Sequence, residues 1–325
     1  MIVRTALTGP FPRSEALVAA TRDLDRGRTT PEAVETLYRQ GESEVDALEG
    51  RLGLDVRSGG YLRWADLFRP FAETWGGFTV GPITRYFETN TFYRQPILHS
   101  PPERAPGALR RRLPVPSGVR PSQVKVTLPG PYTFAGLLDN RSGETRQALT
   151  HRLGRLLAEE VVELYGAGYR TFQFQEPLFV VAPPEGPLAE AAVASYRPIA
   201  QAAGEATTIV WTYFADARGA FPLLGRLPVT VIGVDLAETE PSELPVPSQP
   251  RSIGLGCIDP RTTLRESPED VARIVRETFA RLRPPTIWLG PGAPPDLLPY
   301  EAATRKLELL PAARALLETP GGTAP

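Results

Sequence analysis

Apolar and polar positions alternate most sharply at Thr171–Pro177, where Phe172 and Phe174 fall on one face of a strand and Gln173 and Gln175 on the other. That strand ends on Gln175 and Glu176, and Pro177 stops it by removing a backbone donor. Short β-branched and apolar runs beginning at Ile2, Leu54, Val124, Thr171, Thr207, Val229, Ser252 and Thr286 predict eight strands. Helical spacing occupies most of the intervals. Ser14 caps one helix, and Thr30-Pro31-Glu32 opens another that runs to about Leu52 on Val34, Leu37, Val45 and Leu48. Further helices are expected over about Leu62–Trp75, Glu144–Tyr165, Leu188–Ala203, Gly219–Leu224, from Ser267 to Leu282, and over Tyr300–Glu318. Residues 78–122 break this rhythm. They read as strand-like over Phe78–Tyr86 and loop-rich over Pro101–Pro121, an extended excursion after the second strand.

Strand and helix in alternation, with eight strands, predict an α/β fold: a (β/α)8 TIM barrel forming one domain over residues 1–325. A doubly wound open sheet is the alternative, but no G-x-G-x-x-G or P-loop motif supports it. In a barrel the C-terminal strand ends would share one rim. That rim would gather Gly9-Pro10, Gly60-Tyr61, Pro129-Gly130-Pro131, Gln175-Glu176, Trp211-Thr212-Tyr213, Asp235, Cys257-Ile258-Asp259 and Gly290-Pro291-Gly292-Ala293.

Composition narrows the partners. The 325 residues are 42% hydrophobic, enough for a sizeable core, and a net charge of −1 gives no electrostatic reason to bind nucleic acid or an anionic membrane. The lone Cys257 excludes an intramolecular disulfide and fits a reducing compartment. The first residues lack a cationic segment followed by a long apolar one, and no apolar run spans a bilayer, so a cytoplasmic location and a small-molecule partner are expected.

The chemistry-bearing residues on this rim are few. Glu176 can act as a general base or brace the strand–loop junction; Asp235 and Asp259 also end strands, and carboxylates sharing a pocket can divide acid and base roles. Arg13, Arg85 and Arg261 offer guanidinium forks to an anionic ligand. Gln175, Tyr61, Trp211, Tyr213 and Cys257 complete the expected binding wall, an aromatic pocket suited to a flat or apolar ligand. Equally, the aromatics can simply fill space, Cys257 can be a small core residue, and Lys125 a structural buried cation.

The order of Thr8-Gly9-Pro10-Phe11-Pro12-Arg13, Leu128-Pro129-Gly130-Pro131-Tyr132-Thr133, Phe172-Gln173-Phe174-Gln175-Glu176-Pro177, Gly254-Leu255-Gly256-Cys257-Ile258-Asp259 and Gly290-Pro291-Gly292-Ala293 resembles the catalytic C-terminal barrel of cobalamin-independent methionine synthase. The resemblance runs from about residue 2 to 316 and implies methyl transfer to a thiol held on zinc. It places Trp211 and Tyr213 at the positions of a ligating His and Cys, Asp235 at that of a Glu and Ala293 at that of a second Cys. It also places Pro10, Tyr61 and Gln175 where that family holds the homocysteine amino acid with a Ser, a Glu and an Asp, and Arg261 where it carries a His. With one Cys and two His in the chain, no cofactor is expected and zinc is not expected at that site. Three functions remain open: a transferase with altered thiol activation, a metal-independent lyase or decarboxylase acting on a small anionic or aromatic substrate, and a non-catalytic metabolite binder.

Overall fold

A computed structural model of the chain describes residues 1–318 apart from 114, 116, 117 and 248. Its centre is a curled parallel sheet of seven strands: β1 (Val3–Thr5), β4 (Lys125–Pro129), β6 (Thr171–Gln175), β7 (Thr207–Trp211), β8 (Val231–Asp235), β9 (Ser252–Ile258) and β10 (Ile287–Pro291). They lie in the order β1-β10-β9-β8-β7-β6-β4. Each β strand start falls within two residues of its expected position. The architecture is TIM-barrel-like.

The expected strand at Leu54 is the exception. Only Arg57 pairs there, in one parallel bridge to Val124. Residues 55–57 nonetheless join the two edges of the sheet: Asp55 N–H donates to the Thr5 carbonyl (3.1 Å), Arg57 N–H to the Gln123 carbonyl (2.8 Å) and Lys125 N–H to the Arg57 carbonyl (2.8 Å). Gly59, Gly60 and Tyr61 have φ of 64°, 73° and 55°, so the backbone turns away before a ladder can form. The Tyr61 hydroxyl takes the ladder's place, donating to the Lys125 carbonyl (2.9 Å) and accepting from Thr127 N–H (2.6 Å).

Residues 76–103 form a hairpin whose first arm is the strand-like stretch expected at Phe78–Tyr86 and whose second arm replaces part of the loop-rich excursion. β2 (Gly76–Arg85) pairs antiparallel with β3 (Phe92–Glu103), and β3 is extended by the two-residue β5 (Asp139–Asn140). The register shifts between Val80 and Ile83, beside Gly81-Pro82, and β3 accommodates Pro96, Pro101 and Pro102. The hairpin holds because Phe78, Tyr93 and Leu98 are buried in the same apolar cluster as Phe68, Phe71 and Phe134. Pro114, Pro116 and Ser117 of the proline-rich run, and residues 319–325, lie outside the described residues.

The helices follow their start signals. Ser14, Thr30, Thr145 and Ser267 each accept a backbone N–H three residues on, capping Glu15–Asp25, Pro31–Arg51, Arg146–Gly166 and Pro268–Leu282. Three expected helices are broken. Residues 62–75 divide into a 3-10 segment ending at Trp64 and the helix Arg69–Thr74, separated by Ala65 at φ 57°. Gly186–Ala194 and Tyr196–Ala203 separate at Ser195, and Tyr300–Leu307 and Leu309–Glu318 at Glu308. Among the described residues no helix is long and apolar enough to cross a membrane.

Strand alternation yields two cores. Phe172, Phe174, Val126, Leu128, Val210 and Leu255 point outward to the helices. Ala6, Val56, Ile209, Trp211, Tyr213, Val231, Trp288 and Ala293 fill the inside of the sheet. Lys125, Thr8, Gln173 and Gln175 form a separate polar group inside.

Candidate functional site

A single register row crosses the sheet through Arg4, Trp288, Gly254, Gly233, Trp211, Gln175 and Pro129. The two glycines stand between two tryptophans. A Cβ on Gly233 would lie 2.2 Å from the Trp211 ring, and one on Gly254 2.5 Å from it, so the indole lies flat against bare backbone. Its Nε1–H donates to the Gly292 carbonyl at 2.8 Å, which leaves Trp211 only 3% exposed. Tyr213 is fully buried beside it and shares a 2.7 Å hydroxyl contact with Tyr86, at the end of the hairpin. This part of the barrel interior is packed solid.

Asp235 closes the next row. Its Oδ1 accepts from Ala237 N–H (3.1 Å) and Oδ2 from Phe214 N–H (3.5 Å), and a Cβ on Gly292 would strike it at 2.2 Å. Burial pushes its carboxyl up to about 6, against the pull of Arg261. Arg261 gathers three acids: Asp259 at 2.8 Å, Glu238, and Asp235 at 3.9 Å. Asp235, Asp259 and Arg261 therefore come together, with one guanidinium set against three carboxyl groups.

Glu176 lies apart from that group. Its carboxylate accepts from Tyr132 N–H (3.1 Å), Thr133 N–H (2.8 Å) and Tyr196 OH (2.9 Å), so it holds the turn that opens the Pro131–Leu137 helix. Burial raises it to about 7. The geometry gives Glu176 a bracing task. Cys257 is buried, its thiol pushed upward by burial. Lys125, 1% exposed and lowered to about 7 by burial, donates to the Leu7 carbonyl and the Gln173 amide oxygen. Arg85 lies on the exposed hairpin, its guanidinium 5.8 Å from the Phe92 ring centroid.

The open part of the rim is elsewhere, between the turn after β1, the segment after β10 and the hairpin tip. A cleft of about 1000 Å³ there is lined by Arg13, Tyr61, Trp64, Phe92, Asp296 and Tyr300 among others. Pro10, Ala65, Asp66, Thr91, Phe92 and Asp296 also line an inner chamber of about 50 Å³ that reaches Gln175, Tyr86 and Tyr213. Arg13, Tyr61, Gln175 and Tyr213 are thus the expected site residues that meet a cavity.

Two acceptors stand out in the inner chamber. Gln175 is fully buried; its Nε2 donates to the Thr8 carbonyl, while its Oε1 has no hydrogen-bond partner. Asp296 is half-buried and raised to about 7 by burial, with Arg13 opposing and Asp66 reinforcing the shift. Among the described residues no other residue donates to its carboxylate. Asp66 differs, since it already accepts from Phe68, Arg69 and Arg94 N–H groups. Sequence reading missed Asp296. The available signal was an acid four residues beyond the last Gly-Pro-Gly strand end.

Comparison with known proteins bears on this rim. Residues 77–281 match the family model for the N-terminal domain of cobalamin-independent synthase. The chain belongs to that family. It is 28% identical over 311 residues to a methionine synthase of Sulfurisphaera tokodaii, covering 94% of this chain and 90% of that protein. A methionine synthase of Sulfolobus acidocaldarius is 24% identical over 308 residues, with 94% and 89% covered. The solved B12-independent methionine synthase of Shewanella sp. W3-18-1, in complex with selenomethionine, superposes with a TM-score of 0.77 at 18% identity over 98% of both chains. The family resemblance read from the strand-end motifs is borne out, although the matching model is the N-terminal domain and the motifs were likened to the C-terminal barrel.

The family resemblance places zinc ligands at Trp211, Tyr213, Asp235 and Ala293. Trp211 and Ala293 carry no metal donor, the Tyr213 hydroxyl is engaged with Tyr86, and Asp235 is tied to backbone amides beside Arg261. Among the described residues no three His, Cys, Asp or Glu side chains are grouped to hold a metal ion.

Proposed function

We propose that this chain is a member of the cobalamin-independent synthase family that does not carry out zinc-assisted thiol methylation, and that it binds a small molecule in the cleft between the turn after β1 and the segment after β10. The observation that carries this reading is the Trp211 indole lying on Gly233 and Gly254 and bonded to Gly292, at a position where the family resemblance calls for a metal ligand. A structural zinc-type site needs about four N, S or O donors, and a catalytic one about three. Asp235 alone is available in this group.

The cleft supports a binding role for different reasons. It is concave, walled by Tyr61, Trp64, Phe92 and Tyr300, and carries a few polar groups, Arg13 and Asp296 among them. Asp296, titrating near neutrality beside Arg13, is the group there best suited to exchange a proton if the ligand reacts. A metal-independent lyase and a pure binder both remain compatible with that arrangement.

A second reading, methyl transfer to a thiol by another mode of activation, is favoured by the relatives that bear the methionine synthase name. One experiment separates them. The purified protein is titrated with zinc by calorimetry and then assayed for methylation of homocysteine with and without the metal. The expected outcome is no stoichiometric zinc binding of sub-micromolar affinity and no methionine formed. Tight one-to-one zinc with methionine production overturns the proposal, and methionine without zinc establishes the second reading.

A further inference from the structure

The helical layer has a gap on the outer wall of the sheet, away from the mouth. In a barrel each parallel strand ordinarily returns through a helix that covers its outer face. Among the described residues, the crossover from β8 to β9 carries only the 3-10 turn Pro241–Glu243 before the chain runs on as Leu244-Pro245-Val246-Pro247. Closely spaced prolines cannot continue a helix, so none forms there. Ile232 and Ile253, paired in register on the outer face, are therefore only half-buried. Phe172, Val210 and Leu255, in the same outer layer, are fully buried. With Val234, the two isoleucines floor a groove of about 410 Å³ whose walls include Phe221, Leu224 and Leu282. Val246 stands at its edge, 68% exposed.

Arg251 gives this groove its charge. Its Nη1 and Nη2 donate to the Leu224 and Leu227 carbonyls, both at 3.1 Å, which occupies two of a guanidinium's five N–H donors. Burial lowers its pKa, and no carboxylate among the described residues opposes that shift. Arg281, in the last turn of the Pro268–Leu282 helix, is likewise held on carbonyls, those of Leu244 (2.5 Å) and Pro241 (2.6 Å). Among the described residues no acid lines the groove.

We propose that the groove is a second ligand site and takes a small anionic amphiphile, an alkyl carboxylate of medium length. Its chain lies on Ile232, Ile253 and Leu282, and its carboxylate meets the free N–H groups of Arg251. Charge decides the class. A neutral apolar body covers the same surface but leaves a half-buried guanidinium without a counter-ion, and a cation is repelled. An alkyl carboxylate removes apolar surface from water and supplies the missing charge. The groove shares no lining residue with the cleft at the mouth, so the two sites stand or fall separately.

The test titrates octanoate, decanoate, 1-octanol and octylamine separately into the full chain at neutral pH, below their micelle concentrations. Calorimetry gives the affinities and amide chemical shifts give the place. Octanoate is expected to shift Ile232, Arg251 and Ile253 while leaving Arg13 and Tyr61 in the cleft unmoved. Decanoate should bind about tenfold more tightly, from two added methylenes. Octylamine should bind at least about tenfold more weakly than octanoate, the size of effect expected for a charge partner of the wrong sign. Arg251→Gln should weaken octanoate by about tenfold and leave 1-octanol within about twofold, and Arg251→Lys should restore part of the loss. A thermal melt checks that each variant folds; if Arg251→Gln does not, the ratio of octanoate to octylamine in the unaltered chain decides. Octylamine or 1-octanol binding as tightly as octanoate, or octanoate affinity unchanged in a folded Arg251→Gln, overturns the charge assignment. No probe shifting the groove overturns the site. A concentration-dependent dimer in sedimentation that shifts the groove residues without any probe makes a second copy of the chain the occupant, and overturns the proposal as well.

Discussion

Two parts of one barrel mouth have come to opposite solutions. On the side of β7, β8 and β9, side chains and backbone close over the interior: Trp211 spreads across Gly233 and Gly254, Tyr213 is tied to Tyr86, and Arg261 is paired with Asp259 and lies 3.9 Å from Asp235. On the side of β1 and β10, a cleft of about 1000 Å³ remains open, and the Gln175 amide oxygen is left without a partner. Satisfied polar groups stabilise a fold, while unsatisfied ones in a cavity wait for a ligand. The residue types alone would have ranked these regions in the reverse order, because the strand-end carboxylates Asp235 and Asp259 stand on the closed side.

The sharpest way to break the contrast is to empty the closed side. Trp211→Ala is expected to cost about 3–5 kcal/mol, as for other buried large-to-alanine changes, measured by urea unfolding. A loss below about 1 kcal/mol would mean that the indole is not packed as described. Next in size, Gly254→Ala should cost about 1–3 kcal/mol, since the new methyl meets the Trp211 ring and the Gly233 backbone. Pairing it with Trp211→Ala should recover part of that loss, and strict additivity would refute the contact.

Tyr61→Phe tests the seam between the two sides. Removing one hydroxyl leaves the Lys125 carbonyl and Thr127 N–H unpaired in a buried place, an expected loss of about 1–3 kcal/mol. Hydrogen exchange should show the Thr127 amide losing protection first.

Asp296 sharpens the open side. Its folded pKa is raised to about 7 by burial, so between roughly pH 4 and that value the folded chain holds a proton that the unfolded chain has released. Stability therefore falls as pH rises through this window. Arg13 opposes the shift, Asp66 reinforces it, and Tyr86 and Tyr213 face the same chamber without charge at these pH values. Asp296→Asn should reduce the slope in urea-unfolding free energies between pH 4 and 8, the remainder belonging to Glu176 and Asp235; an unchanged slope would show that the group titrates normally. The smallest effect is expected from Arg85→Ala. That side chain lies on the exposed hairpin, and the change should stay within about 0.5 kcal/mol by urea unfolding.

Much of this was legible in the sequence. Period-two alternation at Thr171–Gln175 set Phe172 and Phe174 outward and the glutamines inward, and cap residues at Ser14, Thr30 and Ser267 marked helix starts, because both signals are local and act within a few residues. The succession of strand ends also identified the family. Local signals could not show that Arg57 would be the only paired residue at the second strand position, since the turn at Gly59–Tyr61 competes with the ladder and a tyrosine hydroxyl replaces it. Nor could they distribute the polar groups. Glu176 lost its freedom to two backbone amides and Tyr196, and Asp235 to its amides and Arg261, while Asp296 has only its own backbone N–H and the field of Arg13. The sequence determines which groups reach the rim; which of them are spent on the fold depends on neighbours distant in the chain, and only tertiary packing brings those neighbours within hydrogen-bonding reach.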